Sequence, residues 1–337
     1  MRGVYLAGVQ LEQPVYMGGK VRAAHQMART GEVMAEENVR FNRSEILLQV
    51  DRAYWQMLRV QEQVGAAKAY REVVKALLQD LRNSQEVGMV SNNDVLKVEV
   101  KYNEAQLMLQ KATNGLILSQ MDLCRLIGLD LNTRLHLSDT LPEATSTGLP
   151  DAGGNVEQRP DYKLLKEEIG LKQKEINLAR SEFLPQIGVS VGYGYGGGLE
   201  LNGGTDASAS LNAMASVRIP LFYWGEGRNK IKVAEVEREM SQLNLEKSAQ
   251  LMELEVASTR FNIQDARTRI EMCRNALKQA EENLRISKAQ YDVGMESLSN
   301  LLEAQAQWQE AWSQWVDAKA MLQLSVSEYL KAVGGLE

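Results

Sequence analysis

The side chains that could do chemistry are few in this chain, and their spacing suits none of the usual kinds. His25 and His136 have no cysteine or carboxylate near them at metal-ligand spacing, so no metal centre is predicted. Cys124 and Cys273 fall on predicted helices and read as a pair of buried, unbonded thiols, not as a disulfide. Gly192-x-Gly194-x-x-Gly197 has the letters of a dinucleotide fingerprint. That fingerprint works because a helix N-terminus follows it and holds the pyrophosphate. Here the glycines lie in and just after a strand-like run, and a polar turn and another strand come next. No catalytic residue, cofactor or metal is expected, and an enzyme is a poor reading.

Composition narrows the field further. The 337 residues are 44% hydrophobic and 24% charged, with a formal net charge of -6. An acidic balance argues against nucleic acid as a partner, because phosphate binding needs a basic face. No stretch approaches the ~18 apolar residues of a transmembrane helix.

The elements that must do the work repeat at a fixed offset of 206 residues. Pro14 matches Pro220, Val87-Gly88-Met89 matches Val293-Gly294-Met295, and Gly128 matches Gly334. Gly19 matches Gly225, Ser91 matches Ser297, and Glu104-Ala105 match Glu310-Ala311. Register held over so many anchors marks a duplicated unit, and repeats set architecture. The division expected is a first repeat at 1–131, an equatorial linker at 132–159, a helix and strand at 160–206, and a second repeat at 207–337.

Each repeat opens with period-2 alternation: Tyr5, Ala7, Val9 and Leu11 in the first, Leu211, Ala213, Ala215, Val217 and Ile219 in the second. Pro14 and Pro220 follow and are expected to end the ladders, having no N–H to donate. Glycines at 18–19 and at 225 and 227 then turn the chain. Proline-free segments at 20–86 and 226–292 predict two helices of about 67 residues, rods on the order of 100 Å. Both stop at Val-Gly-Met, where Gly88 and Gly294 suit a left-handed helix end. Ser91 to Asp94, and more weakly Ser297 to Asn300, read as capping boxes that open returning helices.

The returning helices carry heptads. Leu301, Trp308, Trp315, Leu322 and Tyr329 step by seven, with Ala304, Ala311, Ala318 and Ser325 between them. Val95, Tyr102, Leu109, Leu116 and Leu123 do the same in the first repeat. A 3.5 period predicts left-handed packing of neighbouring helices. Pro160 starts a further helix that runs to about 183 and is stopped by Pro185. Ile187, Val189, Val191, Tyr193 and Tyr195 then alternate with glycine and serine, and Gly197 to Asp206 is a polar turn.

Strands of 9–11 residues with one apolar and one small or polar face match the wall of a transmembrane β-barrel. A bilayer admits strands only in a closed barrel, and three cannot close one, so oligomerisation is required. A soluble sheet with one face packed on helices is the alternative at this point.

The junctions Gln13-Pro14-Val15-Tyr16-Met17-Gly18-Gly19-Lys20 and Ile219-Pro220-Leu221-Phe222, both Val-Gly-Met-x-Ser tips, Arg159-Pro160-Asp161 and Leu184-Pro185-Gln186-Ile187 resemble those of the TolC-type outer-membrane factors. These are the channel components of tripartite efflux pumps and type I secretion systems. The resemblance covers essentially the whole chain. It implies a mainly α fold with a β-barrel portion, in which a homotrimer shares an outer-membrane barrel and a periplasmic tunnel of long helical hairpins. The partners implied are outer-membrane lipid, a periplasmic adaptor (membrane fusion protein) and an inner-membrane transporter of the RND or ABC type. Carried over, the adaptor-docking residues are Val87, Gly88, Met89, Ser91, Val293, Gly294, Met295 and Ser297. The aperture positions hold Asp94, Asn300 and Glu303, and the strand-to-helix junctions Pro14, Gly19, Pro220 and Gly225. Asn300 in place of an acid weakens a cation-binding aperture, and Glu296 stands where a basic latch is expected.

The helix and strand at 160–196 would have first-repeat counterparts before Met1. A preceding signal peptide, helical pair and fourth strand are therefore expected. The function implied is a passive export duct. A type I secretion channel, or a periplasmic coiled-coil scaffold or adaptor, is the alternative. A scaffold would fractionate without detergent, and a channel would not.

Overall fold

The computed structural model describes residues 5–142, 155–197, 200–201, 204–205, 208–222 and 224–336. The predicted turn residues Pro150, Gly153, Gly154, Gly203 and Asp206 lie outside them. In chain order the elements are β1 (Tyr5–Met17), α1 (Lys20–Glu86), α2 (Asn92–Ile127), a 3-10 turn (Val156–Gln158), α3 (Pro160–Ser181), β2 (Gln186–Gly197), β3 (Glu200–Leu201), β4 (Gly204–Thr205), β5 (Ser208–Arg218), α4 (Glu226–Asp292) and α5 (Leu298–Ala332). Both long helices have the predicted bounds. The chain divides into two compact units, each drawing on both repeats: residues 1–39 with 160–249, and residues 40–159 with 250–337.

The first unit is built on an antiparallel sheet in the order β1-β2-β5. Directly opposed residues of an antiparallel pair share a face. Ala7, Tyr195 and Ala209 lie side by side, as do Val9, Tyr193 and Leu211, then Leu11, Val191 and Ala213. The other face runs Gly8, Gly194, Ser210, then Gln10, Gly192, Asn212, then Glu12, Ser190, Met214. One face is thus apolar across three strands, and the other is mostly small or polar.

Two strand expectations need correction. Pro14 does not end β1, which runs on to Met17. It sits opposite Gly188 beside a β-bulge between Pro14 and Tyr16. β1 is an edge of this sheet, and edges and bulges are where a strand tolerates a residue without an N–H. Within the segment predicted as a plain turn, β3 and β4 form a two-residue ladder. In the second repeat β5 does stop before Pro220, at Arg218.

Helix α3 packs in this unit through polar contacts. Lys172 bridges Glu175 at 2.9 Å and Glu237 at 3.1 Å, and Arg238 donates to Gln173 at 2.8 Å. Lys174 donates to the Thr30 hydroxyl. α3 ends at Ser181, a little short of the predicted 183. The elbow after it closes on Gly18, whose φ is +59°; a Cβ there would lie 2.6 Å from that of Leu184 and 2.7 Å from the Ser181 carbonyl oxygen.

The second unit is a helical assembly. One core cluster takes Val74, Leu77 and Leu81 from α1, Val95 and Val98 from α2, Leu277 from α4 and Leu301 from α5. The heptad residues Leu301, Trp308, Leu322 and Tyr329 are buried, with Ala304, Ala318 and Ser325 as the small partners. Trp308 stacks edge-on with Trp312 at 5.2 Å. Cys124 is buried as expected, whereas Cys273 is only half-buried, and both are free thiols.

A polar seam joins α1 to α5 within this unit. Arg52 pairs with Glu328 at 2.8 Å, Ser327 donates to Asp51 at 2.7 Å, and Lys331 pairs with Glu45. At its centre Lys319, with 4% of its side chain exposed, meets Glu62 at 2.5 Å and lies 4.0 Å over the Trp315 ring. Glu62 also accepts the Leu141 N–H at 3.0 Å. It so fastens an extended strap whose Leu135, Leu137 and Leu141 enter the helical core. Tyr54 bonds Asp139 of the strap, and its phenol is pushed up to about 12, by burial first and then by that carboxylate.

Candidate functional site

The sequence ends α1 and α4 in the same way, and the structure shows why. At the first tip the Gly88 N–H donates to the Gln85 carbonyl and the Met89 N–H to Ser84, both at 2.9 Å. At the second, Gly294 donates to Tyr291 at 3.0 Å and Met295 to Gln290 at 2.8 Å. This is the helix stop in which a left-handed residue lets two N–H groups reach back to orphan carbonyls. Gly88 has φ +74° and Gly294 +76°. The returning helices start on side-chain caps: the Ser91 Oγ accepts the Asp94 N–H and the Ser297 Oγ the Asn300 N–H, each at 3.2 Å.

The two tips lie together. Leu81, Val90 and Val95 of the first share a hydrophobic cluster with Leu284, Tyr291 and Leu298 of the second. On this base four apolar side chains stand in solvent: Val87 at 66% exposure, Met89 at 81%, Val293 at 68% and Met295 at 80%. These four apolar groups take no part in the chain's own core.

The three positions expected at an aperture differ in what holds them. Asp94 bonds Lys97 at 2.9 Å and the Ser91 hydroxyl at 2.8 Å. Those bonds, the lysine's first, keep its carboxyl below the ordinary carboxylate range. Asn300 serves the Ser297 cap, and Glu303 accepts from Gln307 at 3.2 Å on the exposed helix surface. Tyr291 has its phenol pushed up by burial first and then by Asp94, so a carboxylate of the first tip stands near the second.

At the junctions Gly19 and Gly225 take φ +86° and +82° just before their helices begin, while Pro14 and Pro220 precede them. His25 and His136 are exposed. Among the described residues no three His, Cys, Asp or Glu side chains form a metal-type group. Nor is any helix among them long and apolar enough to cross a membrane. The Glu62–Lys319 pair and the strap are not foreseeable from local sequence. The offset of 206 does place Trp224, left-handed at φ +47°, on the position of Gly18.

The sequence profile of the outer membrane efflux protein family matches residues 2–129 and 156–335. The chain belongs to that family. As an outer membrane efflux protein it is similar to outer membrane protein TolC of Vibrio cholerae, 23% identical over 340 residues that make up 98% of this chain and 76% of that one. It is also similar to the toluene efflux pump outer membrane protein TtgF of Pseudomonas putida, 24% identical over 323 residues, 95% of this chain and 67% of that one. Its fold matches the open-state MtrE outer membrane channel of Neisseria gonorrhoeae with a TM-score of 0.81 at 17% identity, over all of this chain and 81% of that one. This outer membrane efflux protein is therefore a channel component located in the outer membrane and extending into the periplasm. Channels of the family are trimers that work with adaptors and inner-membrane transporters.

Proposed function

We propose that three copies of this chain form the passive exit duct of a tripartite export pump, and that the paired Val-Gly-Met tips are where a periplasmic adaptor docks. The duct carries no chemistry of its own; energy and much of the substrate choice come from the inner-membrane transporter. The observation that carries this reading is the double tip: two copies of one turn, packed on one cluster, with Val87, Met89, Val293 and Met295 exposed. Covering each such side chain contributes about 1.5–3 kcal/mol at most. Docking at both tips can so offset the interhelical packing given up when the hairpins splay to open the entrance.

In the membrane, the apolar sheet face carrying Val9, Leu11, Val191, Tyr193 and Leu211 meets lipid, and the face of Gly192, Gly194, Ser210 and Asn212 lines the aqueous lumen. The trimer contact is read from two stripes that find no cover in their own chain: Val100, Leu107 and Leu118 on α2, and Leu254, Phe261 and Met272 on α4. A stripe of each kind on every copy makes a head-to-tail contact that closes into a ring.

The tips offer a clean test. A Cβ added at Gly88 or Gly294 meets nothing within 4 Å, so a side chain there strikes no part of the chain itself. The backbone cost of a left-handed non-glycine residue is about 1–2 kcal/mol per position. Gly88→Glu with Gly294→Glu is expected to abolish dye export from cells while the trimer, followed by cross-linking, persists. Export at the wild-type rate would refute docking at the tips.

A further inference from the structure

The two strand-to-helix junctions differ in one respect that the duplication does not predict. At the first, Gly18 is closed off by Leu184 and Ser181. At the second, a cavity of about 1080 Å³ opens between the end of β5 and the first turns of α4, lined by Pro220, Leu221, Phe222, Arg228, Lys232 and Glu235 among others. Its lining has two chemistries. Leu221 and Phe222 are 89% and 70% exposed and follow the end of β5 at Arg218. Arg228 and Lys232 sit one helical turn apart on α4, so both cations can face one group. Among the described residues Lys232 is ion-paired only with Glu235, at 3.9 Å, and Glu235 is shared with Arg180 at 3.4 Å. Among the described residues Arg228 has no ion-pair partner.

A cavity that is apolar toward the strand and cationic toward the helix fits an amphiphile with an anionic head. In an outer membrane efflux protein whose helices extend into the periplasm, this elbow lies at the inner boundary of the bilayer. We infer that the cavity binds an anionic glycerophospholipid of the periplasmic leaflet, its phosphate held by Arg228 and Lys232 and its acyl chains laid on Leu221 and Phe222. The occupant is lipid and not a second copy, because the exposed Leu221 and Phe222 stand beside two cations that call for an anionic head, while the neighbour-facing stripes lie on α2 and further along α4. The lipid would fasten the elbow from which the long helix starts. The inference rests on the outer-membrane reading above.

The test uses the full chain purified in mild detergent, stripped of lipid and titrated with short-chain phosphatidylglycerol or phosphatidylethanolamine. Bound lipid per protomer is counted by native mass spectrometry. One phosphatidylglycerol per protomer is expected, bound in preference to phosphatidylethanolamine. Each basic residue near a phosphate contributes about a fivefold factor, so Arg228→Gln should weaken binding about fivefold and the double change with Lys232→Gln about thirtyfold. Arg228→Lys should keep most of it, which separates lost charge from lost folding. Equal binding of the two lipids, or no change in the double variant, overturns the inference. So does a photo-cross-linker at position 222 that captures a second copy in place of lipid. Wild-type protein found outside the outer-membrane fraction would instead sink the parent reading, so the two failures are distinguishable.

Discussion

Helices α2 and α5 occupy the same place in the two repeats, carry the same heptads, and meet opposite fates. Fifteen residues of α5 are buried against five of α2, although the helices are almost equal in length. α5 is held by α1 through the polar seam and by α4 through Ile263, Ile270 and Leu322, so it is covered inside its own chain. α2 is not. Where α5 carries small Ala306 and Ser313, α2 carries the larger Val100 and Leu107 at the matching positions, both exposed. The duplication left two similar hairpins; later divergence made one return helix a private core element and gave the other an apolar outer stripe. We propose that stripe as the surface on which the next copy packs.

The contrast between the two helices is greatest at Lys319. Its counterpart on α2 is Thr113, which bonds back to the Leu109 carbonyl and needs no partner. Glu62→Ala should leave the Lys319 ammonium buried and unpaired, at a cost of about 3–5 kcal/mol. The variant should also lose the strap, whose Leu141 N–H bonds the same carboxylate. Chemical unfolding in detergent reads the first, and amide exchange at Leu141 the second. Unchanged unfolding would mean the α1–α5 seam does not set the register.

The next effect falls on α2. Copying the α5 residues onto it, Val100→Ala with Leu107→Ser, should leave the protomer within about 0.5 kcal/mol of its stability, as surface changes do. It should still loosen the trimer, because burying a large apolar side chain at an interface contributes up to about 1.5–3 kcal/mol that the small residues forgo. Dilution followed by mass measurement would show dissociation at higher concentration than for the wild type. A trimer as tight as before would place the neighbour elsewhere.

The smallest effect is at the tips, where the first cap carries Asp94 and the second Asn300. Asp94 is held below the ordinary carboxylate range by Lys97 and Ser91. A depressed carboxyl stabilises the folded state fully above its unfolded value, near 4, and that contribution fades as pH falls through the lower folded value. Asp94→Asn should therefore lower the melting temperature slightly at pH 7, and the gap from wild type should narrow as the pH falls below the unfolded value, near 4. A gap that stays constant would show that the ion pair contributes nothing.

Much of this architecture can be read from the sequence, and the reasons for success and failure are physical. Helix ends at Gly88 and Gly294 are legible because a left-handed stop and a serine cap are local chemistry. Strand faces are legible from parity, since side chains alternate whatever the partner. Pro14 misleads because an edge strand can carry a proline beside a bulge, and no local signal says that β1 is an edge or where its bulge falls. Cys273, half-buried, departs from the expectation of a buried thiol that Cys124 meets, because a place on a predicted helix does not report how many helices surround it. The strap is invisible for a different reason: Leu141 is fixed by Glu62, and no local pattern joins them. At the tips the residue types are legible, but the shared cluster that sets the two turns side by side belongs to tertiary packing.

The proposed channel stands or falls with a sheet that divides lipid from water, residue by residue along each strand. Single cysteines placed at Val189, Val191 and Tyr193, and at Ser190, Gly192 and Gly194, in a Cys124→Ser, Cys273→Ser background, test it with a water-soluble maleimide in outer-membrane vesicles. The even-numbered positions should label and the odd-numbered ones resist until detergent is added. Equal labelling of both sets, or protection of the even set, would overturn it.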